Sequence, residues 1–186
     1  MQNELTAVPG LMPVHPASVH RPRLDMLSGL SRDRLKQLFT GADAPGDDSA
    51  RALHGDQVLR GFAPVGGRVL NRVLTRPGFF WTGKSFRDLG DGTMLGHNFF
   101  QLAGGMRALP FVATVGESRT DGRPAVRIDY GHPRVANQGP SRWLYDEIRE
   151  IEPGLWLGPG YLRRDRSLVN VCWFALDTTV EFDDLA

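Results

Sequence analysis

Residues 110–130 read PFVATVGESRTDGRPAVRIDY, and this stretch decides the fold. Two runs rich in apolar and β-branched residues flank Asp121-Gly122, and an Asp-Gly pair in that position predicts a β-hairpin. Apolar runs of similar length recur on both sides of the hairpin, each bounded by turn residues. The predicted strands are residues 54–64, 79–86, 93–102, 110–118, 124–130, 143–151, 155–162 and 168–177.

The number and composition of these strands favour a mainly β fold. About eight strands at regular spacing are typical of an antiparallel barrel or a sandwich. Several strands carry apolar side chains on both faces, as Trp173 and Phe174 do on the last one. An antiparallel barrel with one or two short N-terminal helices fits this pattern, and such a barrel can hold one small ligand. The helices are predicted at residues 32–39, capped by Ser31, and at residues 66–76.

The chain has 186 residues, which is enough for one domain with a substantial core. Residues 1–30 are rich in proline and are predicted to form an extended or disordered lead-in. Residues 31–180 are predicted to form a single β-barrel domain, with a loop at 41–49, and residues 181–186 an acidic tail.

Charge and cysteine usage exclude several classes of function. The formal net charge is +1 and the arginines are scattered among acidic residues, which argues against a nucleic-acid partner. Cys172 is the only cysteine, so an intrachain disulfide and a C-x-x-C metal site are excluded and a reducing cytoplasm is predicted. Neither a secretory signal nor an apolar run of about 18–20 residues is present, so no membrane partner is predicted.

The stretch Trp81–Phe86 has the pattern W-x-G-K-x-F, and further matches to one family follow it in order. The chain resembles the small proteins that pair a GXWXG domain with a following uncharacterised domain. Residues 54–62 contain no tryptophan, so the GXWXG signature itself is absent. The resemblance implies a lipocalin-like (calycin-type) barrel and no settled activity. The other matching segments are Ala63–Leu70, Ala125–Tyr130, Asp146–Ile151, Leu157-Gly158 and Trp173–Leu176.

Lys84 is one of two lysines and is the leading candidate for chemistry. Strand alternation places it on one face with Phe80 and Phe86, and places Trp81 on the opposite face. A desolvated lysine must pair with a carboxylate or lower its pKa. This predicts an anchor for an anionic ligand or a Schiff-base amine. The alternative is a lysine whose ammonium reaches solvent at the barrel rim.

The segment Tyr145–Glu150 is polar on both faces. Tyr145, Glu147 and Arg149 share one face, while Asp146 and Glu150 lie on the other with Ile148. If either set enters the barrel beside Lys84, it forms a charged network that marks a functional site. The alternative is an edge strand protected by its charges.

Further candidates lie on neighbouring strands. His97 is a candidate general base, although at most one of His97 and Asn98 faces the interior because they are adjacent. Tyr130 is predicted to point inward at a strand end. The predicted catalytic residues are Lys84, Asp146, Glu147 and His97, and the predicted ligand-binding residues are Trp81, Asn98, Tyr130, Arg149, Tyr161 and Trp173. The histidines are too dispersed to predict a metal site, and no nucleotide fingerprint predicts a cofactor.

Three classes of function remain open. The leading one is binding of a small hydrophobic or amphipathic molecule inside the barrel. The second is a cofactor-independent isomerase, cyclase or lyase that uses acid–base residues in the cavity. The third is an interaction protein that docks through its proline-rich lead-in. The predicted partner is a small-molecule ligand or substrate, and a homodimer formed through an exposed edge strand is left open.

Overall fold

The structure is a computed structural model and describes residues 22–64, 81–101, 106–164 and 167–180. Within these ranges, eight antiparallel strands form a closed barrel in the order of the chain. The strands are β1 (Gly55–Phe62), β2 (Trp81–Asp88), β3 (Thr93–Phe100), β4 (Met106–Glu117), β5 (Pro124–Asp129), β6 (Leu144–Glu152), β7 (Leu155–Arg164) and β8 (Ser167–Asp177). Because β8 also pairs with β1, the predicted mainly β, lipocalin-like barrel is confirmed.

The hairpin that decides the fold has the predicted turn. β4 and β5 pair from Val112 opposite Asp129 to Glu117 opposite Pro124, with the Asp-Gly pair between them. Gly122 has a φ of 78°, a left-handed conformation that glycine adopts without steric penalty. The Asp121 carboxylate accepts a hydrogen bond from the Arg123 backbone N–H at 3.1 Å, which holds the turn in place.

In the described part of the chain, three short α-helices precede the barrel: α1 (Pro22–Ser28), α2 (Arg32–Gly41) and α3 (Asp47–Arg51). Ser31 caps α2 as predicted, because its hydroxyl accepts a hydrogen bond from the Arg34 backbone N–H at 3.2 Å. Two predictions need correction. Residues 22–28 are helical rather than extended because Leu24 and Leu27 are buried, and the predicted loop at 41–49 contains the start of α3. Residues 1–21, the predicted helix at 66–76 and the tail at 181–186 lie outside the described residues.

Apolar side chains form one cluster inside the barrel and another outside it. The inner cluster includes Phe111, Trp156 and Phe174, together with Leu53 just after α3. The outer cluster packs α1 and α2 against the outer face of the barrel and includes Phe39 and Trp173. Trp173 and Phe174 therefore lie on opposite faces of β8, as predicted. The inner cluster fills the half of the barrel in which β1 begins.

Closure of the barrel excludes one of the two interpretations of the segment Tyr145–Glu150. β6 pairs with β5 on one side and with β7 on the other, so it is not an edge strand and the edge-strand interpretation is wrong. The same closure leaves no free edge among the described strands through which two chains would pair. No helix within the described ranges has the length and apolar character needed to cross a membrane.

Candidate functional site

A cavity of about 310 Å³ occupies the half of the barrel in which β1 ends and β2 begins. Its walls are largely apolar, and its polar side chains are few. The lining residues are Gly61, Pro64, Trp81, Asn98, Phe100, Leu109, Tyr130, Leu144, Asp146, Gly160, Tyr161, Val171 and Cys172. The volume falls at the lower end of the range of about 300–1,000 Å³ that is typical of small-molecule sites.

Four polar side chains form a hydrogen-bonded network at this cavity: Lys84, Asn98, Tyr130 and Asp146. The Lys84 ammonium donates to Asn98 Oδ1 at 2.9 Å, to Asp146 Oδ2 at 3.0 Å and to Tyr130 Oη. Tyr130 Oη donates in turn to Asp146 Oδ2 at 2.9 Å. The Lys84 side chain is fully buried and lies behind the three residues that line the cavity. The network therefore places one ion pair inside the barrel, away from bulk water.

The barrel brings these residues together from four strands or strand ends. Lys84 on β2 lies directly opposite Asn98 on β3. Tyr130 follows the last residue of β5, and Asp146 lies near the start of β6. Because the barrel is closed, the inward faces of β2 and β6 meet across its interior although the strands do not pair.

Trp81 joins the network through an irregularity in β2. The pairing of β2 with β3 shifts between Trp81 and Gly83, so Thr82 is an extra residue on β2. A bulge of this kind reverses the alternation of side chains. Trp81 therefore faces the same side as Lys84, and its Nε1 donates to Asn98 Oδ1 at 2.8 Å. The prediction that these two residues lie on opposite faces is wrong.

Burial sets the protonation chemistry of the network. Loss of water lowers the pKa of the Lys84 ammonium, and the neighbouring Asp146 carboxylate opposes that change. The ammonium also lies 5.1 Å from the ring centres of Trp81, Phe111, Tyr130 and Phe174, which stabilise the cation through their π faces. Burial, reinforced by the Asp146 charge, raises the pKa of the Tyr130 phenol well above its usual value. Tyr130 is therefore a protonated hydrogen-bond donor at neutral pH.

The structure places Glu147 and Arg149 outside the cavity, on the outer face of β6. Glu147 is fully buried and accepts hydrogen bonds from Ser118 Oγ at 2.6 Å, the Arg119 backbone N–H at 2.6 Å and Tyr145 Oη at 3.1 Å. Arg149 makes two bonds of 2.7 Å to the Asp121 carboxylate. Of the two polar sets on this strand, the one containing Asp146 and Ile148 enters the barrel.

Three other predicted residues also lie outside the hydrogen-bonded network. His97 lies in a surface groove, where Ser85 Oγ is 3.0 Å from its Nδ1. Burial lowers the pKa of its imidazole, and the positive charge of Arg107 lowers it further. Trp173 packs edge-on against Phe39 under the helices. Tyr161 borders the cavity, but its hydroxyl is hydrogen-bonded to Thr120 Oγ1 at 2.6 Å. The structure thus brings five of the ten predicted residues into one network: Trp81, Lys84, Asn98, Tyr130 and Asp146.

Cys172 and Gly160 are two of the cavity-lining residues that were not among the predicted site residues. Burial, reinforced by the Asp146 charge, raises the pKa of the Cys172 thiol to about 12. A Cβ atom at Gly160 would lie 2.8 Å from Cys172 Sγ and 3.3 Å from Asp146 Oδ1, so only glycine leaves this part of the wall unobstructed. Strand alternation could have indicated Cys172, because it lies two residues before the inward-facing Phe174. The role of Gly160 depends on contacts between strands and has no signal in the sequence.

No group of three or more histidine, cysteine, aspartate and glutamate side chains within the described ranges is arranged to hold a metal ion. No family model matches the chain, and no curated protein matches it. Among solved structures, the chain is similar to one described as the crystal structure of a protein from Thermomonospora curvata. The two chains are 17% identical, the match covers 78% of this chain and 86% of the other, and the TM-score is 0.49.

Proposed function

We propose that the barrel binds a small hydrophobic or amphipathic molecule in its cavity. The observation that carries this proposal is the contrast between the two halves of the barrel interior. One half is packed with apolar side chains, while the other contains about 310 Å³ of space bounded by apolar walls and one polar network. Protein interiors ordinarily contain few voids larger than a water molecule. A cavity of this size therefore supports a ligand-binding role.

The cavity volume limits the size of the ligand. At roughly 30 Å³ per water molecule in the liquid, the space corresponds to about ten waters, so a ligand of about ten non-hydrogen atoms would fill it. The aromatic walls favour a ring or a short branched hydrocarbon skeleton. The polar network at one side suits a molecule with a single polar end.

A matched pair of substitutions on β8 tests ligand binding. Val171 lines the cavity, whereas Val169 on the same strand is 43% exposed. We expect small aromatic ligands to raise the melting temperature of the wild type and of Val169→Trp, because a ligand that binds only the folded state stabilises it. Val171→Trp fills the cavity and should abolish the shift. Equal shifts in both variants would show that binding occurs elsewhere.

A cofactor-independent enzyme is the second candidate, favoured by the carboxylate of Asp146 at the cavity wall. Such a group, beside the protonated phenol of Tyr130, can take up a proton from a bound substrate in an isomerase, cyclase or lyase reaction. The test is exchange of deuterium from solvent into carbonyl probes, measured by NMR. Asp146→Asn should abolish the exchange. Glu147→Gln should leave it unchanged, because none of the described groups that donate to Glu147, namely Ser118, the Arg119 backbone, Thr120 and Tyr145, lines the cavity.

We also propose a relationship to the GXWXG family, a reducing cytoplasm as the compartment and, as a third candidate function, docking through the N-terminal residues. The resemblance to the GXWXG family rests on Trp81–Phe86 and the segments that follow it. A reducing cytoplasm is supported by the single cysteine. The interaction hypothesis is tested by deleting residues 1–21, because Leu24 just beyond them is fully buried and belongs to the folded domain. Loss of a binding partner after that deletion, with unchanged stability, would favour it.

A further inference from the structure

The Lys84 ammonium has no hydrogen-bond donor to offer a ligand. An ammonium group has three N–H donors. All three are used by Asn98 Oδ1, Tyr130 Oη and Asp146 Oδ2. Lys84 also lies behind the cavity wall rather than in it. A ligand would reach Lys84 only by displacing members of the network.

The donors of the neighbouring side chains are used in the same way. The Tyr130 hydroxyl donates to Asp146 Oδ2 at 2.9 Å. Asn98 Nδ2 donates to Leu109 O at 3.3 Å and to Tyr130 Oη at 3.2 Å. Trp81 Nε1 donates to Asn98 Oδ1 at 2.8 Å. The network therefore presents the cavity with donors that are already paired.

One strong acceptor is left over. Asp146 Oδ2 accepts from both Lys84 and Tyr130, whereas no hydrogen bond from another described residue reaches Asp146 Oδ1. The absence of a side chain at Gly160 leaves space beside this oxygen, since a Cβ there would lie only 3.3 Å from it. A carboxylate oxygen among apolar walls is stabilised strongly by a hydrogen-bond donor.

The charge of the site disfavours an anion. Lys84 and Asp146 neutralise each other, and Asp146 is the only charged residue among the described residues that line the cavity. A ligand carboxylate would lie next to Asp146 and away from the enclosed ammonium. Burial of that second negative charge without a partner is unfavourable.

We infer that the cavity selects an uncharged, mainly apolar ligand with one hydroxyl group, which donates a hydrogen bond to Asp146 Oδ1. This inference rests on the proposed binding function and specifies its ligand class. It replaces the earlier expectation that Lys84 anchors an anionic ligand. An alcohol or a phenol of about ten non-hydrogen atoms has the size and the donor that the site requires.

Four probes of matched shape test the inference by isothermal titration calorimetry: para-propylphenol, propylbenzene, para-propylanisole and para-propylbenzoate. The phenol offers a donor, the anisole offers only an acceptor, the hydrocarbon offers neither, and the benzoate is an anion. We expect the phenol to bind at least about tenfold more tightly than the other three, because a hydrogen bond to a charged group is among the stronger ones.

Two glycine variants test whether the preference for the phenol depends on the space beside Asp146 Oδ1. Gly160→Ala places a methyl group beside Asp146 Oδ1, whereas Gly61→Ala adds one to the same cavity, 3.4 Å from the Trp81 ring. The preference for the phenol over the anisole should disappear in Gly160→Ala and persist in Gly61→Ala.

The outcomes separate the two proposals. Equal binding of phenol, anisole and hydrocarbon would overturn the ligand class and leave the binding function standing. Tightest binding of the benzoate would overturn the proposed ligand class in favour of an anion site. Retention of the phenol preference in Gly160→Ala would rule out Asp146 Oδ1 as the acceptor. If none of the four probes binds, the proposed binding function itself is contradicted, and the inference with it.

Discussion

Lys84 and Asp146 form an ion pair in which the lysine side chain has no exposed surface and the aspartate side chain is only 8% exposed. A pair of this kind is tolerated because each partner neutralises the other and the remaining hydrogen bonds are made. The Tyr130 hydroxyl and the Asn98 amide complete that set. At the scale of single residues, the network is therefore sensitive to the loss of any one member.

Removal of Lys84 alone should be far more harmful than removal of the pair. Lys84→Met leaves the Asp146 carboxylate buried without a cation, and we expect the free energy of unfolding to fall by about 3–5 kcal/mol. The double variant Lys84→Met/Asp146→Asn should regain most of that loss, as measured by urea unfolding. A double variant as unstable as the sum of the two single ones would contradict the assigned pairing.

Cys172 should make the protein less stable in alkali. Its pKa rises from 9.0 in the unfolded chain to about 12 in the folded protein, so above pH 9.0 the folded state retains a proton that the unfolded state has released. Stability then falls with rising pH, by at most about 1.4 kcal/mol per pH unit from this group. The other groups that titrate in alkali are present in both proteins compared.

The measurement is the free energy of unfolding against pH for the wild type and Cys172→Ala. Because the slopes are compared, a constant loss of packing in the variant does not affect the result. We expect a shallower decline for Cys172→Ala between pH 9.0 and about 12. Identical slopes would show that the thiol titrates normally in the folded protein.

At the scale of elements, β6 separates two polar systems by the alternation of its side chains. Asp146 faces the cavity, while Arg149 faces outward and connects the barrel to α2. The Arg149 guanidinium donates to the Asp121 carboxylate, the Arg123 carbonyl and the Phe39 carbonyl at the end of α2. Arg149, predicted from the sequence to bind a ligand, instead attaches α2 to the turn between β4 and β5.

Arg149→Lys should therefore destabilise the fold without affecting the cavity. A lysine cannot make the two parallel bonds to Asp121 or reach both carbonyls, so we expect the free energy of unfolding to fall by about 2–4 kcal/mol. The exposed Arg164 on β7 provides the control, and Arg164→Lys should change stability by less than about 0.5 kcal/mol. A loss of ligand affinity in Arg149→Lys that exceeds its loss of stability would contradict this assignment.

At the scale of the whole molecule, the barrel has one packed half and one hollow half. Leu176 is fully buried in the packed half, whereas Leu144 lines the cavity. Leu176→Ala should cost about 2–5 kcal/mol because it creates a new void, while Leu144→Ala only enlarges an existing space and should cost less. Urea unfolding measures both, and Leu144→Ala should also admit bulkier ligands. Equal losses of stability would contradict the division into two halves.

The sequence alone was sufficient to predict the strands, the Asp-Gly hairpin and the barrel, because alternation and turn residues are local properties of the chain. It also raised the hypothesis that Lys84 pairs with a carboxylate from Tyr145–Glu150, with a solvent-reaching lysine and an edge strand as the alternatives. Which carboxylate takes part was decided only by tertiary structure. Asp146 and Glu147 are adjacent, and a shift of one residue exchanges every inward and outward side chain on a strand.

Trp81 shows the same dependence on long-range structure. Alternation from Lys84 predicted that Trp81 faces away, but the bulge at Thr82, which forms where β2 pairs with β3, brings it inward. The open space beside Asp146 Oδ1 likewise depends on Gly160, which is distant in sequence and adjacent in the barrel. Local pattern therefore determined which segments become strands, while pairing between strands decided which side chains meet in the cavity, because register and bulges are set by contacts that no single segment contains.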